Sequence, residues 1–430
     1  MPGVDDPRST ARVQCPRRPR SPRACPRSNA AAAKRRVHTS SAGPLYSPPV
    51  LNEYLTVLQE YAGYWMLAFV VAVFATPIAA GVARRLGVMD VPDRYLKPHA
   101  RPTPYLGGAA ICVGWAVTLL VATALRRELE WQVTAPIVLG GVAMSLLGLL
   151  DDIQDVPPKL RLSLGAAVVA SVMLFTGIGL ELAETFLHPF HVTVPPILAV
   201  PLSFLIGLFI VLGACNSTNL IDGLDGLCAG VTAVISLGFF IIAARLAIVE
   251  YARPMNDVRL ILAIAMLGAT LGFLPLNFNP AKIFMGDAGS VLLGYNCGML
   301  LLLFSERGSF TLRWMLGGLM VFALPIFDTA LAIVRRWRSG RSIFAGDRSH
   351  FYDQLVDRGW TVRRVVLISY LLTAFYGGLG CLAVALRMRY TVPLYALAVL
   401  LTVVMIVRTG MVRAEPRGVT PAASDPPARG

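Results

Sequence analysis

Charged side chains are scarce in this chain, and their scarcity restricts its class. Only 15% of the 430 residues are charged, whereas 55% are hydrophobic. A soluble domain rarely has this balance, so we expect an integral membrane protein. Any cluster of charged residues then needs an explanation, because ionisable groups are costly inside a bilayer.

Several familiar motifs are also missing. The seven cysteines form no CxxC pair and lack the spacing of metal ligands or of a disulfide framework, so we expect them to be small apolar residues. The chain has no Walker loop GxxxxGK[ST], HExxH or GxSxG motif in a usable context. These absences argue against a P-loop nucleotidase, a zinc peptidase of that type and a serine hydrolase.

Apolar runs long enough to cross a bilayer, about 20 residues each, recur along the chain. Because backbone polar groups must be satisfied inside lipid, these runs are predicted to be helices. The predicted fold is all-α: one polytopic integral membrane domain over 64–408 with about 11 transmembrane helices. The predicted spans are 64–83, 105–124, 133–150, 160–179, 197–214, 226–248, 258–278, 288–304, 312–334, 364–387 and 391–408.

The two ends of the chain differ in composition from the spans. Residues 1–50 are rich in Pro, Arg, Ser and Ala, and are predicted to be a disordered basic extension. They lack the apolar stretch of a signal peptide, and their prolines argue against the amphipathic helix of a transit peptide. Residues 411–430 are predicted to be a loose C-terminal tail.

Basic residues are divided unequally between the two sides that alternating spans define. The loops at 84–104 and 335–363 carry most of the excess, and they share a side with the loops at 151–159, 215–225 and 279–287. Positive charge marks the cytoplasmic side. We therefore expect these five loops to face the cytoplasm, although the basic N-terminal extension would then lie outside, against the same rule.

Three acids close the third predicted span. Asp151, Asp152 and Asp155 come just before Pro157 and Pro158, which should end the helix. On a helix Asp151 and Asp155 share a face, while Asp152 points elsewhere. Carboxylates at a helix C-terminus oppose the macrodipole, so a functional role is favoured over an ordinary solvated loop.

A second polar cluster lies in NSTNLIDGLDGL, residues 216–227. Asn216, Asn219, Asp222 and Asp225 recur at every third position, so neighbours in the series can meet on a helical face. The glycines between them let the backbone approach a ligand closely. This regularity favours a binding site over a glycine-rich turn with solvated acids.

A third polar cluster lies where the eighth span begins. Asp287, in FMGDAGS, could cap that helix, or it could hold a metal ion beside a phosphate at the helix N-terminus. Lys282 lies five residues upstream and could meet a phosphate as a point charge.

Two basic loops lie on the same predicted side. Arg348 and His350 would suit an anionic phosphate, although their loop alone could be a positive-inside anchor. Lys97 lies in the loop that leads into the second span.

Carboxylates, carboxamides, glycines and cations thus converge on one side of a membrane protein. Mg²⁺ is usually held by one or two carboxylates together with phosphate oxygens. Phosphoryl transfer depends mostly on positioning and on neutralising charge. The residues alone therefore favour a membrane-embedded phosphotransferase.

Five motifs, in order, carry a resemblance to a known family: DVPDRYLKPHARPTPYLGG, LGLLDD, NSTNLIDGLDGL, FMGDAGS and DRSH. They resemble the polyprenyl-phosphate N-acetylhexosamine-1-phosphate transferases, glycosyltransferase family 4. The resemblance implies a bacterial inner-membrane enzyme with its site facing the cytoplasm. It implies Mg²⁺-dependent transfer, with Mn²⁺ as an alternative, of an N-acetylhexosamine 1-phosphate from a UDP-sugar to undecaprenyl phosphate or another polyprenyl phosphate. UMP is released, and a cell-envelope glycan begins.

The same resemblance implies roles for single residues. Asp287 would be the metal ligand, and Asp151 and Asp152 the acidic pair that deprotonates or positions the lipid phosphate. His350 would begin the family's histidine motif and be catalytic. The residues expected to bind substrate are Asn216, Asn219, Asp222 and Asp225 on the nucleotide side, and Lys97, Lys282 and Arg348 near the phosphates.

The chain departs from the family at the histidine motif. Members usually have two further histidines, as HxHH or HHH, where this chain has Phe351, Tyr352 and Asp353. The triple histidine belongs to the branch that makes the first peptidoglycan lipid, so the resemblance favours the branch that uses GlcNAc 1-phosphate. If the departure merely weakens a phosphate clamp, Tyr352→His should be mild or even raise activity.

Two other functions stay open on the sequence alone. A CDP-alcohol phosphotransferase also has clustered aspartates, but its pattern includes an Arg that residues 222–234 lack. An ion-coupled transporter would have acids at mid-span near an inverted repeat, whereas the acids noted here lie at span ends. We expect membrane lipid rather than nucleic acid to be the partner of the basic loops, and a homodimer is the expected assembly.

Overall fold

The computed structural model describes residues 51–90, 102–250, 255–305, 311–340 and 350–412. The predicted N-terminal extension and most of the predicted C-terminal tail lie outside these ranges. The helices are α1 (Leu51–Leu86), α2 (Gly107–Leu125), α3 (Trp131–Gln154), α4 (Pro158–Thr176), α5 (Leu182–Leu187), α6 (Pro196–Leu220), α7 (Leu227–Val249), α8 (Asn256–Asn277), α9 (Gly286–Leu303), α10 (Thr311–Val321), α11 (Ala323–Arg338), α12 (Phe351–Asp357), α13 (Val362–Ala385) and α14 (Met388–Arg408). A 3₁₀ turn (His188–Phe190) and one antiparallel pair, β1 (Met89–Asp90) with β2 (Thr103–Pro104), are the other elements in these ranges.

The prediction of an all-α polytopic membrane protein is confirmed. Among the described residues, ten helices are long and apolar enough to cross a membrane. The pair α10 and α11 passes the same test together, but the two helices meet at an angle of 73°. Counting this bent pair as one span gives eleven, the predicted number.

Proline and glycine set several helix boundaries. Helix α4 begins at Pro158, where a missing N–H does no harm. It ends at Gly177, whose φ of 73° is the left-handed conformation that glycine adopts easily. The connection between α6 and α7 ends in the same way at Gly226, with φ of 80°. Helix α4 therefore ends at Gly177, within the predicted span 160–179, whereas the break at the Pro157–Pro158 pair was predicted.

Helix α9 lies at the centre of the bundle. Its apolar window is 94% buried, whereas those of α4 and α14 are 22% and 17% buried. Helix α9 packs against α3 and α6, and α8 packs against α1 and α7. The large apolar side chains exposed on the outer helices suit contact with lipid. The N-terminus of α9, which carries Asp287, is thereby surrounded by the ends of other helices.

A separate polar cluster lies at the opposite end of the bundle. The Arg126 guanidinium donates to Glu60 (2.6 Å) and to Asp257 (2.8 Å), and it lies over the Tyr61 ring. This cluster ties together the ends of α1, α2 and α8. One guanidinium here joins two carboxylates from different helices, which is typical of a structural network.

Candidate active site

Asp152 caps the N-terminus of α9 from a neighbouring helix. Its carboxylate accepts hydrogen bonds from the backbone N–H groups of Asp287 (2.9 Å) and Ala288 (3.2 Å), and from the hydroxyl of Tyr105 (2.9 Å). The first N–H groups of a helix have no partner within it, and the helix end carries a partial positive charge. Asp152 is therefore the acid that caps α9, and the capping role considered for Asp287 is wrong.

Gly286 makes this approach of α3 to α9 feasible. It has a φ of 67°, and a Cβ at this position would lie against a carboxylate oxygen of Asp152. Burial, together with the neighbouring Asp152, raises the pKa of the Tyr105 phenol. Tyr105 therefore stays protonated and can donate to Asp152.

Asp287, Asp151 and Asn219 meet around a single cation, Arg161. The Arg161 guanidinium donates to a carboxylate oxygen of Asp151 and to Oδ2 of Asp287 (2.8 Å). The Asn219 side-chain amide donates to Oδ1 of Asp287 (2.6 Å). Four helices, α3, α4, α6 and α9, thus each contribute one side chain to the cluster.

Only part of the NSTNLIDGLDGL segment is helical. Helix α6 ends at Leu220 and α7 begins at Leu227, so Asn216 and Asn219 are helical whereas Asp222 and Asp225 lie in the turn between. The prediction of one shared helical face is therefore wrong for the two acids. Asp155 likewise lies beyond the end of α3, with φ of 47°, and does not share a helical face with Asp151.

Asp225 holds the loop that precedes α9. Its Oδ2 accepts hydrogen bonds from the side-chain amide of Asn279 (2.9 Å) and from the backbone N–H of Ala281 (3.0 Å). The backbone N–H of Gly226 donates to Asn277 in the same region. These contacts position the FMGDAGS segment, and a nucleotide contact for Asp225 stays a prediction.

Asp222 completes the acidic cluster. Burial first, and then the negative charges of Asp287, Asp152 and Asp225, raise the pKa of Asp222 well above its usual value. Within the described part of the chain, no hydrogen bond supports its carboxylate. The cluster therefore has more negative charge than Arg161 neutralises, which is the electrostatic condition that favours a cation.

His350 pairs with an acid that the sequence analysis overlooked. The carboxylate of Asp328 lies 2.7 Å from Nδ1 of His350, and its other oxygen accepts from the backbone N–H of Phe351 (3.2 Å). Asp328 lies in α11, inside the predicted span 312–334. The statement that the acids lie only at span ends is therefore wrong, and an acid inside an apolar run was the signal that could have identified it.

The other predicted site residues have less defined surroundings. Lys97 and Arg348 lie outside the described residues. Lys282 is exposed on the loop before α9, and Asn216 is exposed near the end of α6. Their roles in binding stay predictions.

A groove leads away from the acidic cluster between α3, α4 and α6. It is a partly open groove rather than a closed cavity. Its end nearest the cluster is polar, with Arg161, Asn216 and Asn219. One turn deeper the lining is apolar, from Met144, Leu147, Leu162, Gly165, Leu212 and Val291. The site thus joins a charged region to an apolar channel.

The donor set fits a magnesium ion that is shared with a substrate. Among the residues that the structure describes, no group of three or more His, Cys, Asp or Glu forms a metal site. Mg²⁺ commonly takes only one or two protein carboxylates and completes its shell with phosphate oxygens and water. Asp287 lies next to Asp151 and, among the described residues, pairs with the single guanidinium of Arg161, so it is suited to that arrangement.

Comparison with known proteins agrees with the motif pattern. The family model for glycosyl transferase family 4 matches residues 134–305. A relative named "Probable undecaprenyl-phosphate N-acetylglucosaminyl 1-phosphate transferase", from Bacillus subtilis (strain 168), is 35% identical over 315 residues, or 71% of this chain and 81% of the relative. The chain belongs to glycosyl transferase family 4.

Two more relatives show the range of this family. The decaprenyl-phosphate N-acetylglucosaminephosphotransferase of Mycolicibacterium smegmatis is 32% identical over 329 residues, 73% of this family 4 member and 80% of the relative. The phospho-N-acetylmuramoyl-pentapeptide-transferase of Bacillus velezensis is 32% identical over 320 residues, 70% and 91% of the two chains. The family model includes Asp151 and Asp287 but ends before His350.

Proposed function

We propose that this family 4 transferase moves N-acetylglucosamine 1-phosphate from UDP-GlcNAc to a polyprenyl phosphate such as undecaprenyl phosphate. One observation carries the proposal: an acidic cluster organised by Arg161 opens onto an apolar groove. A reaction between a soluble nucleotide sugar and a lipid phosphate needs both surfaces at one point. The names of the relatives from Bacillus subtilis and Mycolicibacterium smegmatis support GlcNAc as the sugar.

In this reaction the phosphate oxygen of the lipid attacks the β-phosphorus of UDP-GlcNAc. A new P–O bond forms, the bond between the β-phosphorus and the oxygen bridging it to the α-phosphorus breaks, and UMP leaves with the electron pair. A phosphate monoester has a second pKa of about 6, so the attacking oxygen needs no strong base at neutral pH. The protein has mainly to position two anions and reduce their repulsion.

The paired aspartates then have different tasks. Asp152 accepts three hydrogen bonds and is engaged in capping α9, so we assign it to positioning Asp287. Asp151 pairs with Arg161, whose guanidinium can exchange a carboxylate partner for a phosphate in the same fork geometry. Arg161 is thus placed to receive the lipid phosphate at the polar end of the groove.

Asp287 is the residue that would hold Mg²⁺, with Mn²⁺ as an alternative. When bound, the ion would neutralise charge on the diphosphate. Asn219 keeps the Asp287 carboxylate in place through its amide.

The cellular setting follows from the donor. Nucleotide sugars are made in the cytoplasm, so we place the site on the cytoplasmic side of a bacterial inner membrane, at the start of a cell-envelope glycan. The basic loops on that side agree with the positive-inside rule. A homodimer stays a prediction.

The decisive test is an assay with radiolabelled UDP-GlcNAc, undecaprenyl phosphate and Mg²⁺ in membranes containing the protein. We expect labelled lipid that is extractable into butanol and absent after addition of EDTA. Parallel reactions with UDP-GalNAc and UDP-MurNAc-pentapeptide measure the sugar preference. An ion-coupled transporter or a CDP-alcohol phosphotransferase would give no labelled lipid with any of the three donors.

Replacing the proposed metal ligand tests the assignment of Asp287. We expect Asp287→Asn to lower turnover at least about 100-fold, because the neutral amide would hold the divalent ion much less tightly than the carboxylate. The matched control is Asp155→Asn, an exposed acid in the same region whose left-handed backbone an asparagine tolerates. Turnover of Asp287→Asn close to the wild-type value would remove Asp287 from the metal role.

A further inference from the structure

The surroundings of His350 hold its imidazole in one orientation. His350 and Asp328 are 4% and 3% exposed, so their contact is shielded from water. The Nδ1 atom of His350 is 2.7 Å from Asp328, a contact short enough for a charge-assisted hydrogen bond. A carboxylate partner holds the proton on Nδ1 and leaves Nε2 as the atom for a substrate contact.

Asp328 is itself held in place. Its second carboxylate oxygen accepts the backbone N–H of Phe351 at the start of α12. The acid on α11 thus fixes both the ring of His350 and the backbone next to it. Rotation of the imidazole away from Asp328 would leave a buried carboxylate without its partner, which is unfavourable.

Asp328 contacts the edge of the imidazole, and Tyr352 packs against one of its faces. Its ring lies parallel to that of His350, with 5.4 Å between ring centroids and 6° between planes. Its hydroxyl donates to the backbone carbonyl of Leu220 (2.8 Å), the last residue of α6. Gly223 packs against this hydroxyl, and a Cβ there would overlap it. Tyr352 therefore ties His350 to the turn that carries Asp222.

We propose that Asp328 and Tyr352 are positioning residues that fix the tautomer and direction of His350, so that its Nε2 faces the substrate phosphates. The identity of the substrate in this inference rests on the proposed function, whereas the contacts of His350 with Asp328 and Tyr352 do not. It also reverses the expectation for Tyr352→His, since histidine is too short to keep both the ring contact and the bond to Leu220. Burial raises the pKa of the Tyr352 phenol, which keeps this hydroxyl protonated as a donor.

The geometric part is tested without any activity. The chain has five histidines, so solid-state NMR of the protein with ¹⁵N-labelled histidine in lipid can resolve them, and His350→Gln identifies the resonances of His350. We expect His350 to show a protonated Nδ1 and a change of tautomer or signal broadening in Asp328→Asn. An Nε2-protonated ring in the wild-type protein, or spectra unchanged by Asp328→Asn, would overturn the proposal.

The functional part is tested by a double-mutant cycle in the labelled-lipid assay. We expect Asp328→Asn to lower kcat about 10- to 100-fold, as for other residues that orient a functional histidine. In the His350→Gln background the same change should cost less than about twofold, because its effect passes through the imidazole. Additive losses in the double variant would show a merely structural role and overturn the proposal.

Two tyrosine variants separate the ring from the hydroxyl. Tyr352→Phe keeps the stacked ring and should lower kcat several-fold with an unchanged KM for UDP-GlcNAc. Tyr352→His should lower kcat further. Activity of this variant at or above the wild-type value would overturn the assignment of Tyr352 as a positioning residue. If no donor yields labelled lipid, the proposed function fails, whereas the NMR result still decides whether Asp328 fixes His350.

Discussion

At the scale of single residues, the acidic cluster depends on partners that are distant in sequence. Arg161 bridges Asp151 and Asp287, which are separated by 136 positions in the chain. Two carboxylates so close together repel each other unless a cation lies between them. Arg161 supplies that cation in the absence of substrate, and a phosphate or a metal ion can then compete for either partner.

Asp222 gives the cluster a pH dependence that can be measured as stability. Its pKa in the folded protein is raised above the unfolded value of about 3.9. Below the unfolded pKa, Asp222 is protonated in both the folded and the unfolded state, so it does not lower the free energy of unfolding. As the pH rises from the unfolded pKa to the folded pKa, the unfolded state releases its proton before the folded state does, so the folded state loses stability, and the loss is complete above the folded pKa.

We therefore expect Asp222→Asn to raise the apparent melting temperature in EDTA, by about 2–4 °C at pH 8 for each kcal/mol of relieved repulsion. The difference should shrink toward zero near pH 4. Thermal unfolding in detergent across this pH range makes the measurement, with Asp155→Asn as the control that should show no such trend. A difference that grows as the pH falls would contradict the direction of the shift.

The sequence predicted the site residues that lie in recognisable motifs. It did not predict those whose role depends only on a contact in the folded protein. Asp151 and Asp152 were predicted from a group of acids at the end of a span, and Asn219 and Asp287 from polar residues next to glycines; the structure brings all four together. Arg161 follows the three acids of the first cluster and Tyr105 lies in the motif DVPDRYLKPHARPTPYLGG, but neither was predicted to contact the site. Only the packing of α2 and α4 beside α3 and α9 gives them a role, and sequence spacing holds no record of that packing.

At the scale of elements, the site depends on how closely α3 can approach α9. A Cβ at Gly148 would overlap the backbone of Asp287 and Ala288. We expect Gly148→Ala to displace the start of α9 and lower turnover about 100-fold, since a misplacement of about 1 Å can cost that much. Overpacking should also destabilise the protein by about 1–3 kcal/mol, seen as a lower melting temperature.

Gly213 offers a matched control for this substitution. It lies in α6, and a Cβ there would meet nothing within 4 Å. Gly213→Ala should leave turnover unchanged and stabilise the helix by up to about 1 kcal/mol. Equal effects of the two substitutions would show that helix propensity, rather than the approach of α3 to α9, governs the result.

Elements were predictable to the extent that hydropathy defines them. The eleven predicted spans all correspond to helices, because any apolar run of that length must satisfy its backbone in lipid. The bend between α10 and α11 was not predicted, since average hydropathy carries no information on direction. That bend matters to the site, because α11 brings Asp328 to His350.

At the scale of the whole molecule, successive spans cross the membrane in alternating directions, and this alternation decides which helix ends lie on the same side. The ends of α3 and α6 lie on the same side as the beginnings of α4, α7 and α9, because an even number of membrane crossings separates any two of these positions along the chain. The network around Arg126 occupies the other end of the bundle and has no contact with this cluster among the described hydrogen bonds. The acids that were predicted from separate loops therefore share one face of the membrane domain.

We expect the face that carries the acidic cluster to lie on the cytoplasmic side of the membrane. Lys282 is exposed on the loop before α9, whereas Phe190, 74% exposed, lies on the connection between α4 and α6 at the opposite end. In a background with Cys15 and Cys25 replaced by serine, a membrane-impermeant maleimide should label Phe190→Cys in intact spheroplasts. Lys282→Cys should be labelled only after the membrane is permeabilised, because nucleotide sugars must reach the acidic cluster from the cytoplasm. Labelling of Lys282→Cys in intact spheroplasts would place the cluster outside and exclude a cytoplasmic nucleotide sugar as its substrate.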